Sequence, residues 1–160
     1  MVNNLVVVHR VPAGLAVPEA MQLAQEGLLA RLDPENPPRV SHLQSVVNDE
    51  TSAVLFALPG ETSNVPWQDI PTEQYIGTLT LASLQTTTRY SGYIDHVVVD
   101  QEYEKQGVGE LLVRNAILMG KLFGMSRLDL TSSASKIAAQ KLYEKTGFQK
   151  RSTNNWRFEY

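Results

Sequence analysis

Gly107 and Gly109 stand one residue apart where the polar run Asp100-Gln-Glu-Tyr-Glu-Lys gives way to a helical pattern. Glycines at such a junction let the backbone approach a ligand closely, and the N–H groups of a helix start face outward with the positive end of the dipole. An anionic phosphate fits there, although the same Gly-x-Gly also serves as a plain helix cap, and spacing alone leaves both readings open. Two familiar phosphate loops are excluded. A Walker loop needs Gly-Lys followed by Ser or Thr, whereas Gly120-Lys121 is followed by Leu122. The dinucleotide fingerprint needs a third glycine where Leu112 stands. The chain has no cysteine, which removes thiol nucleophiles, thiolate zinc sites and disulfides together. Ser132, Ser133 and Ser135 have no evident His-Asp partnership and read as helix caps. His9 and His42 lie far apart without ligand-spaced partners, so no metal is expected.

The elements that must position this loop follow from apolar periodicity. Leu5 to Val11 reads as a first strand, closed by Pro12 and Gly14. A helix from Pro18 carries Met21, Ala24, Leu28, Leu29 and Leu32 on one face until Asp33-Pro34 ends it. Val40 to Asn48 suggests a short second helix, and Ser52 to Leu58 a strand. Gly60 to Pro71, with Trp67, reads as a surface loop whose tryptophan either lines an acceptor pocket or covers the core, the second being favoured. Tyr75 to Ser83 and Tyr93 to Val99 form an adjacent strand pair, most simply an antiparallel hairpin. A helix from about Gly107 to Phe123 shows Val108, Leu111, Leu112, Ala116, Met119 and Phe123 on one side, so it packs on a sheet. Then come a strand at Arg127 to Thr131, a helix from about Ser135 to Lys145, and short strands near Phe148 to Arg151 and Asn155 to Tyr160. Paired strands followed by strands separated by helices imply one mixed sheet covered by helices, an α/β (α+β) class.

A chain of 160 residues fits one domain, taken here as 1–160. Fourteen Lys and Arg against seventeen Asp and Glu leave a net charge of −3, which does not gather polyanions, so no nucleic acid partner is expected. The start carries no positive charge, its apolar run ends at His9-Arg10, and nothing approaches the length of a membrane helix. No membrane partner and a cytoplasmic location are expected.

The segment Ile94-Asp-His-Val-Val-Val-Asp-Gln-Glu-Tyr-Glu-Lys-Gln-Gly-Val-Gly-Glu-Leu-Leu resembles the signature of the GNAT superfamily, the acyl-CoA-dependent N-acyltransferases: strand, then Arg/Gln-x-x-Gly-x-Gly/Ala, then helix. Downstream, Leu142-Tyr-Glu-Lys-Thr-Gly-Phe148 resembles the second CoA-side motif of that family, with a strand between the two. The resemblance covers Tyr75 to Phe148 well and the first fifty residues by order of elements. It implies a GNAT fold with a mixed six- to seven-stranded sheet and helices on both faces. It also implies acetyl-CoA as cosubstrate, held by Val97, Val98, Val99, Glu104, Lys105, Gln106, Gly107, Val108, Gly109 and Lys136. Two positions depart from the pattern. Glu104 stands where the family has Arg or Gln, so its charge beside the pyrophosphate calls for Lys105 or another cation to offset it. Lys136 replaces a common Asn.

The chemistry implied is direct transfer of an acetyl group from the thioester to a primary amine of a small molecule or peptide. That needs an oxyanion donor, for which backbone N–H groups near Val97 and Val98 are candidates. It needs a proton for the leaving thiolate, and Tyr143 occupies the general-acid position of the family. It needs an unprotonated amine, for which Asp95, His96 and Glu73 are the visible bases, with Asp95 favoured. On a regular strand Tyr93, Asp95 and Val97 share one face and Ile94, His96 and Val98 the other, so Asp95 and His96 reach one cleft only through a bulge. The alternative reading is a non-catalytic acyl-CoA-binding or interaction module in which Glu104 and Lys136 mark altered contacts. Relatives commonly dimerise, so a homodimer is compatible with the resemblance.

Overall fold

The computed structural model describes residues 6–32, 34–35 and 42–158. Five strands, β1 (Val6–Arg10), β2 (Ala53–Pro59), β3 (Gly77–Thr86), β4 (Arg89–Val99) and β5 (Leu128–Leu130), lie in sequence order across one sheet. The first three pairings are antiparallel and the β4–β5 pairing is parallel. A tight turn suffices between β3 and β4, whereas two parallel neighbours need a crossover. Helix α3 (Val108–Leu122) supplies that crossover, after α1 (Glu19–Ala30) and α2 (Leu43–Asn48) and before α4 (Ile137–Lys145). The helices and the strands expected up to β5 are present with trimmed ends: Pro18 is the N-cap of α1, and Leu5 of the first expected strand and residues 40 and 41 of the second expected helix lie outside the described residues.

Two cores lie on opposite faces of the sheet. Strand β2 is buried at every position, so its alternate residues feed both. Val54, Phe56 and Leu58 pack with Met21, Leu28 and Leu29 of α1, while Ala53, Leu55 and Ala57 pack with Leu112, Val113 and Ala116 of α3. Trp67 covers the rim of the first core beside Phe56 and Tyr75, and burial pushes the Tyr75 phenol up to about 12. No helix among the described residues is long and apolar enough to cross a membrane.

Strand β4 does not keep a regular alternation. Thr78 pairs with Val98 but Thr80 pairs with Asp95, so Leu79 faces both His96 and Val97. One extra residue in one strand is a β-bulge, and His96 carries it with φ 53°, in the left-handed region that costs a non-glycine residue about 1 kcal/mol. The bulge resets the faces. Ile94, Val97 and Val99 all pack on the α3 side, and Val98 packs on the α1 side. The regular alternation expected from sequence therefore holds only up to Asp95.

Gly77 sits opposite this irregular stretch, and a Cβ there would lie 3.0 Å from the Val98 carbonyl oxygen and 3.2 Å from Leu112 Cδ1. The oxygen belongs to the ladder and cannot step aside as a side-chain tip could. Gly77→Ala is expected to destabilise the fold by about 1–3 kcal/mol, read as a lower urea midpoint at unchanged slope.

The two strands expected after α4 are absent among the described residues, where 148–158 form no ladder and the sheet ends at β5. The alternating Asn155-Trp-Arg-Phe-Glu-Tyr pattern suits a strand, but residues 155–158 pair neither with the free edge of β5 nor with the opening beside β4. Phe148 turns back onto Tyr143 at a ring separation of 6.0 Å, and the Arg151 guanidinium meets Asp129 at 3.6 Å, so this stretch follows side-chain contacts instead. Trp156 is 91% exposed. Residues 159–160 lie outside the described residues.

Candidate functional site

The Gly-rich segment folds as a loop that displays its backbone nitrogens. The Asp100 carboxylate accepts from the Glu102 N–H at 2.9 Å, starting a single 3-10 turn, and Gln106 Nε2 donates to the Glu102 carbonyl at 2.7 Å. Lys105 and Gly107 then take positive φ, 59° and 87°, which turns the chain sharply into α3. The first helical bond runs from the Leu111 N–H to the Gly107 carbonyl at 3.0 Å. Among the described residues no backbone carbonyl accepts from the N–H groups of Gln106, Gly107, Val108 or Gly109. These donors are left without a backbone acceptor at the positive end of a four-turn helix, the arrangement an anion requires.

Helix α4 is pinned against this loop. A Cβ on Gly109 would lie 3.3 Å from Leu142 Cδ2 and 3.7 Å from Val99 Cγ2, so the missing side chain is what lets α3, α4 and β4 converge. Lys145 and Arg114 both reach Glu110 in the first turn of α3. The Lys145 hydrogen bond first, and the Arg114 one after it, hold the Glu110 carboxyl below its ordinary range.

Strands β4 and β5 pair only from Gly92 to Ile94. From Asp95 to Val99, β4 has no described strand on that side, and the sheet opens. The Asp100 N–H donates to the Ile76 carbonyl on the β3 side, so by strand alternation Val98 also faces β3 while the backbone groups of Val97 and Val99 face the opening. Asp95 holds the bulge, its Oδ1 accepting from the His96 N–H at 2.9 Å while Oδ2 lies 3.6 Å from His96 Nδ1. Tyr143 lines a groove of about 1130 Å³ along β5 with Tyr93, Leu130, Thr131 and Phe148. Burial raises the Tyr143 phenol above its ordinary value, and the Asp95 charge raises it further, which places those two side chains within electrostatic reach of one another.

A family model described as the Acetyltransferase (GNAT) family matches residues 29–148. The chain belongs to that family. Curated relatives include the rat N-acetyltransferase family 8 member 3, 36% identical over 55 residues (34% of this chain and 24% of the relative). Another is the Arabidopsis thaliana GCN5-related N-acetyltransferase 6, chloroplastic, 28% identical over 109 residues (68% and 35%). The chain thus spans about a quarter and a third of the length of these two relatives. Among solved structures, an aminoglycoside acetyltransferase from an uncultured soil metagenomic sample, in complex with sisomicin, superposes with TM-score 0.75 at 17% identity, covering 100% of this chain and 99% of that one. AAC(6')-Iy in complex with the bisubstrate analogue CoA-S-monomethyl-acetylneamine superposes with TM-score 0.70 at 13% identity, covering 98% and 99%.

The GNAT frame gathers most of the residues singled out from sequence and leaves some apart. Val99, Val108 and Gly109 come together where α3 begins, and Tyr143 packs in the same core as Val97 with Asp95 near enough for its charge to be felt. Glu73 does not join them: it lines a separate cleft of about 550 Å³ with Thr72, Asp100 and Glu102 beneath α1. Lys136 is the exposed N-cap residue of α4. The expected serine caps are not caps, since Ser133 and Ser135 bond each other at 2.6 Å in the preceding turn. Their hydroxyls satisfy neighbours one residue too early to reach the helix. Among the described residues no three His, Cys, Asp or Glu side chains are grouped to hold a metal ion. One residue that sequence reasoning missed enters the loop from outside: Arg31, just past α1, donates from Nη2 to Glu104 Oε1 at 2.8 Å and from Nη1 to the Val99 carbonyl. The family resemblance implies a cation near Glu104, but this arginine lies 73 positions away in sequence.

Proposed function

We propose that this GNAT protein transfers an acetyl group from acetyl-CoA to a primary amine by direct attack. The supporting observation is the run of N–H groups from Gln106 to Gly109 at the start of α3, with Gly107 in the left-handed conformation and no backbone carbonyl among the described residues taking those donors. These residues fit a diphosphate, which would lie on them, with Val97 to Val99 along the pantetheine arm. Acetyl-CoA supplies an activated acyl carbon with a thiolate leaving group. The chain supplies the rest. The Val97 N–H, turned to the opening, would donate to the carbonyl oxygen as negative charge grows on it. The Tyr143 phenol would protonate the departing sulfur, its raised pKa keeping it a donor throughout the neutral range. Asp95 would draw a cationic amine to the opening and take its proton. The acceptor is a small-molecule or peptide amine.

Titration calorimetry with acetyl-CoA, followed by thiol release over a panel of amines, tests this reading. Binding with thiol release that depends on an amine supports it. Binding without release from any amine favours a binding module, and no binding overturns both. Within the reading, Asp95→Asn keeps an oxygen for the His96 N–H, so the bulge persists, while kcat is expected to fall by about 10²-fold at unchanged KM for acetyl-CoA. An unchanged kcat removes Asp95 from that role.

A further inference from the structure

We propose that Arg31 is a positioning residue for coenzyme A, supplying from α1 the cation that the phosphate loop lacks at Glu104; this rests on the acetyl-CoA reading above. In the GNAT pattern the position of Glu104 holds Arg or Gln, and a bare carboxylate there stands against a diphosphate. Lys105 follows directly, but no described ion pair joins it to Glu104. The partner is Arg31, whose guanidinium contacts the loop at two points, the Glu104 carboxylate at 2.8 Å and the Val99 carbonyl at the end of β4. Val99 faces the open side of the sheet, so the second contact orients the planar fork along the loop where β4 leaves for Asp100. Both side chains remain partly solvated, 31% and 50% exposed. The pair therefore contributes little to folding by itself. Its consequence lies in the field at the loop: with Arg31 in place, Glu104 presents a neutral pair to an incoming polyanion, and without it a negative charge next to the donors of Gln106 to Gly109.

The test is a double-mutant cycle on the full chain, with coenzyme A affinity read by calorimetry and folding checked by melting temperature. Arg31→Ala is expected to weaken coenzyme A by about ten-fold at low salt, the loss shrinking as salt screens the exposed carboxylate. Glu104→Gln alone is expected to bind more tightly than the wild type, because Arg31 is then left as an unpaired cation beside the loop. The double variant is expected to recover to within about three-fold of the wild type, because the charge needing compensation has gone. Arg31→Lys, which keeps the charge but loses the fork, is expected to fall between wild type and Arg31→Ala. Wild-type affinity in Arg31→Ala overturns the proposal. So does a double variant as weak as Arg31→Ala, which would make Arg31 a direct ligand of the phosphates. Failure of the wild type to bind coenzyme A at all overturns the acetyl-CoA reading itself, a result distinct from either of these.

Discussion

Replacing Tyr143 by phenylalanine is expected to lower kcat by about 10²-fold or more while leaving KM for acetyl-CoA and the melting temperature close to wild type. The substitution removes one hydroxyl and keeps the ring that packs edge-on against Phe148. No described hydrogen bond involves that hydroxyl, so its loss leaves no buried partner unsatisfied and the fold has little to lose. The chemistry has more to lose. A thiolate leaving without a proton must be carried by solvent, and the phenol at the mouth of the β4–β5 opening is the donor that the site offers. The sign of its shift matters. Burial and the Asp95 charge both disfavour the phenolate, so the folded-state pKa lies above the ordinary value of 10. The acid form is fully present throughout the neutral range, and the wild-type rate is expected to show no loss from this group until pH exceeds 10. Full turnover by Tyr143→Phe at saturating acetyl-CoA would remove the general-acid role.

What could be read from the sequence, and what could not, divides along physical lines. Helix α3 was legible because Val108, Leu112 and Ala116 recur at helical spacing, and β2 because an unbroken apolar run buried on both faces needs no context. The sharp turn into α3 was legible because glycine at positive φ, here Gly107, is a backbone requirement written into residue type. The last two expected strands are absent among the described residues for the opposite reason: the pattern from Asn155 alternates well, but a strand exists only where a ladder accepts it, and alternation carries no information about the neighbour. Arg31 was invisible because its partner Glu104 is remote in sequence and nothing local marks an arginine at a helix end as part of a distant loop. The bulge lay between these cases. The clash between Asp95 and His96 on opposite faces of a regular strand raised the question, and only the pairing of Thr78 with Val98 and Thr80 with Asp95 answered it.

That bulge leads to the second large effect, in which stability and activity separate. Deleting His96 is expected to leave a folded protein of unchanged or higher melting temperature that has lost acetyl transfer by about 10²-fold or more. The folding half follows from register. With His96 removed, Val97 faces Leu79, between the existing pairs Thr80–Asp95 and Thr78–Val98, and the ladder becomes regular. Alternation then places Ile94, Val97 and Val99 on one side and Val98 on the other, the sides on which they already pack. No apolar residue changes face, and a left-handed non-glycine residue disappears. The catalytic half follows from the same straightening. The bulge bends β4 where it leaves β5, and the N–H of Val97 turns toward the opening directly after it. A strand without the extra residue continues straight past Ile94, so that donor shifts away from the acyl oxygen that it would serve, and Asp95 loses the His96 N–H that holds its carboxylate. Loss of folding in the deletion variant would show that His96 is needed for the architecture itself, and full activity would show that the regular strand presents its donors equally well.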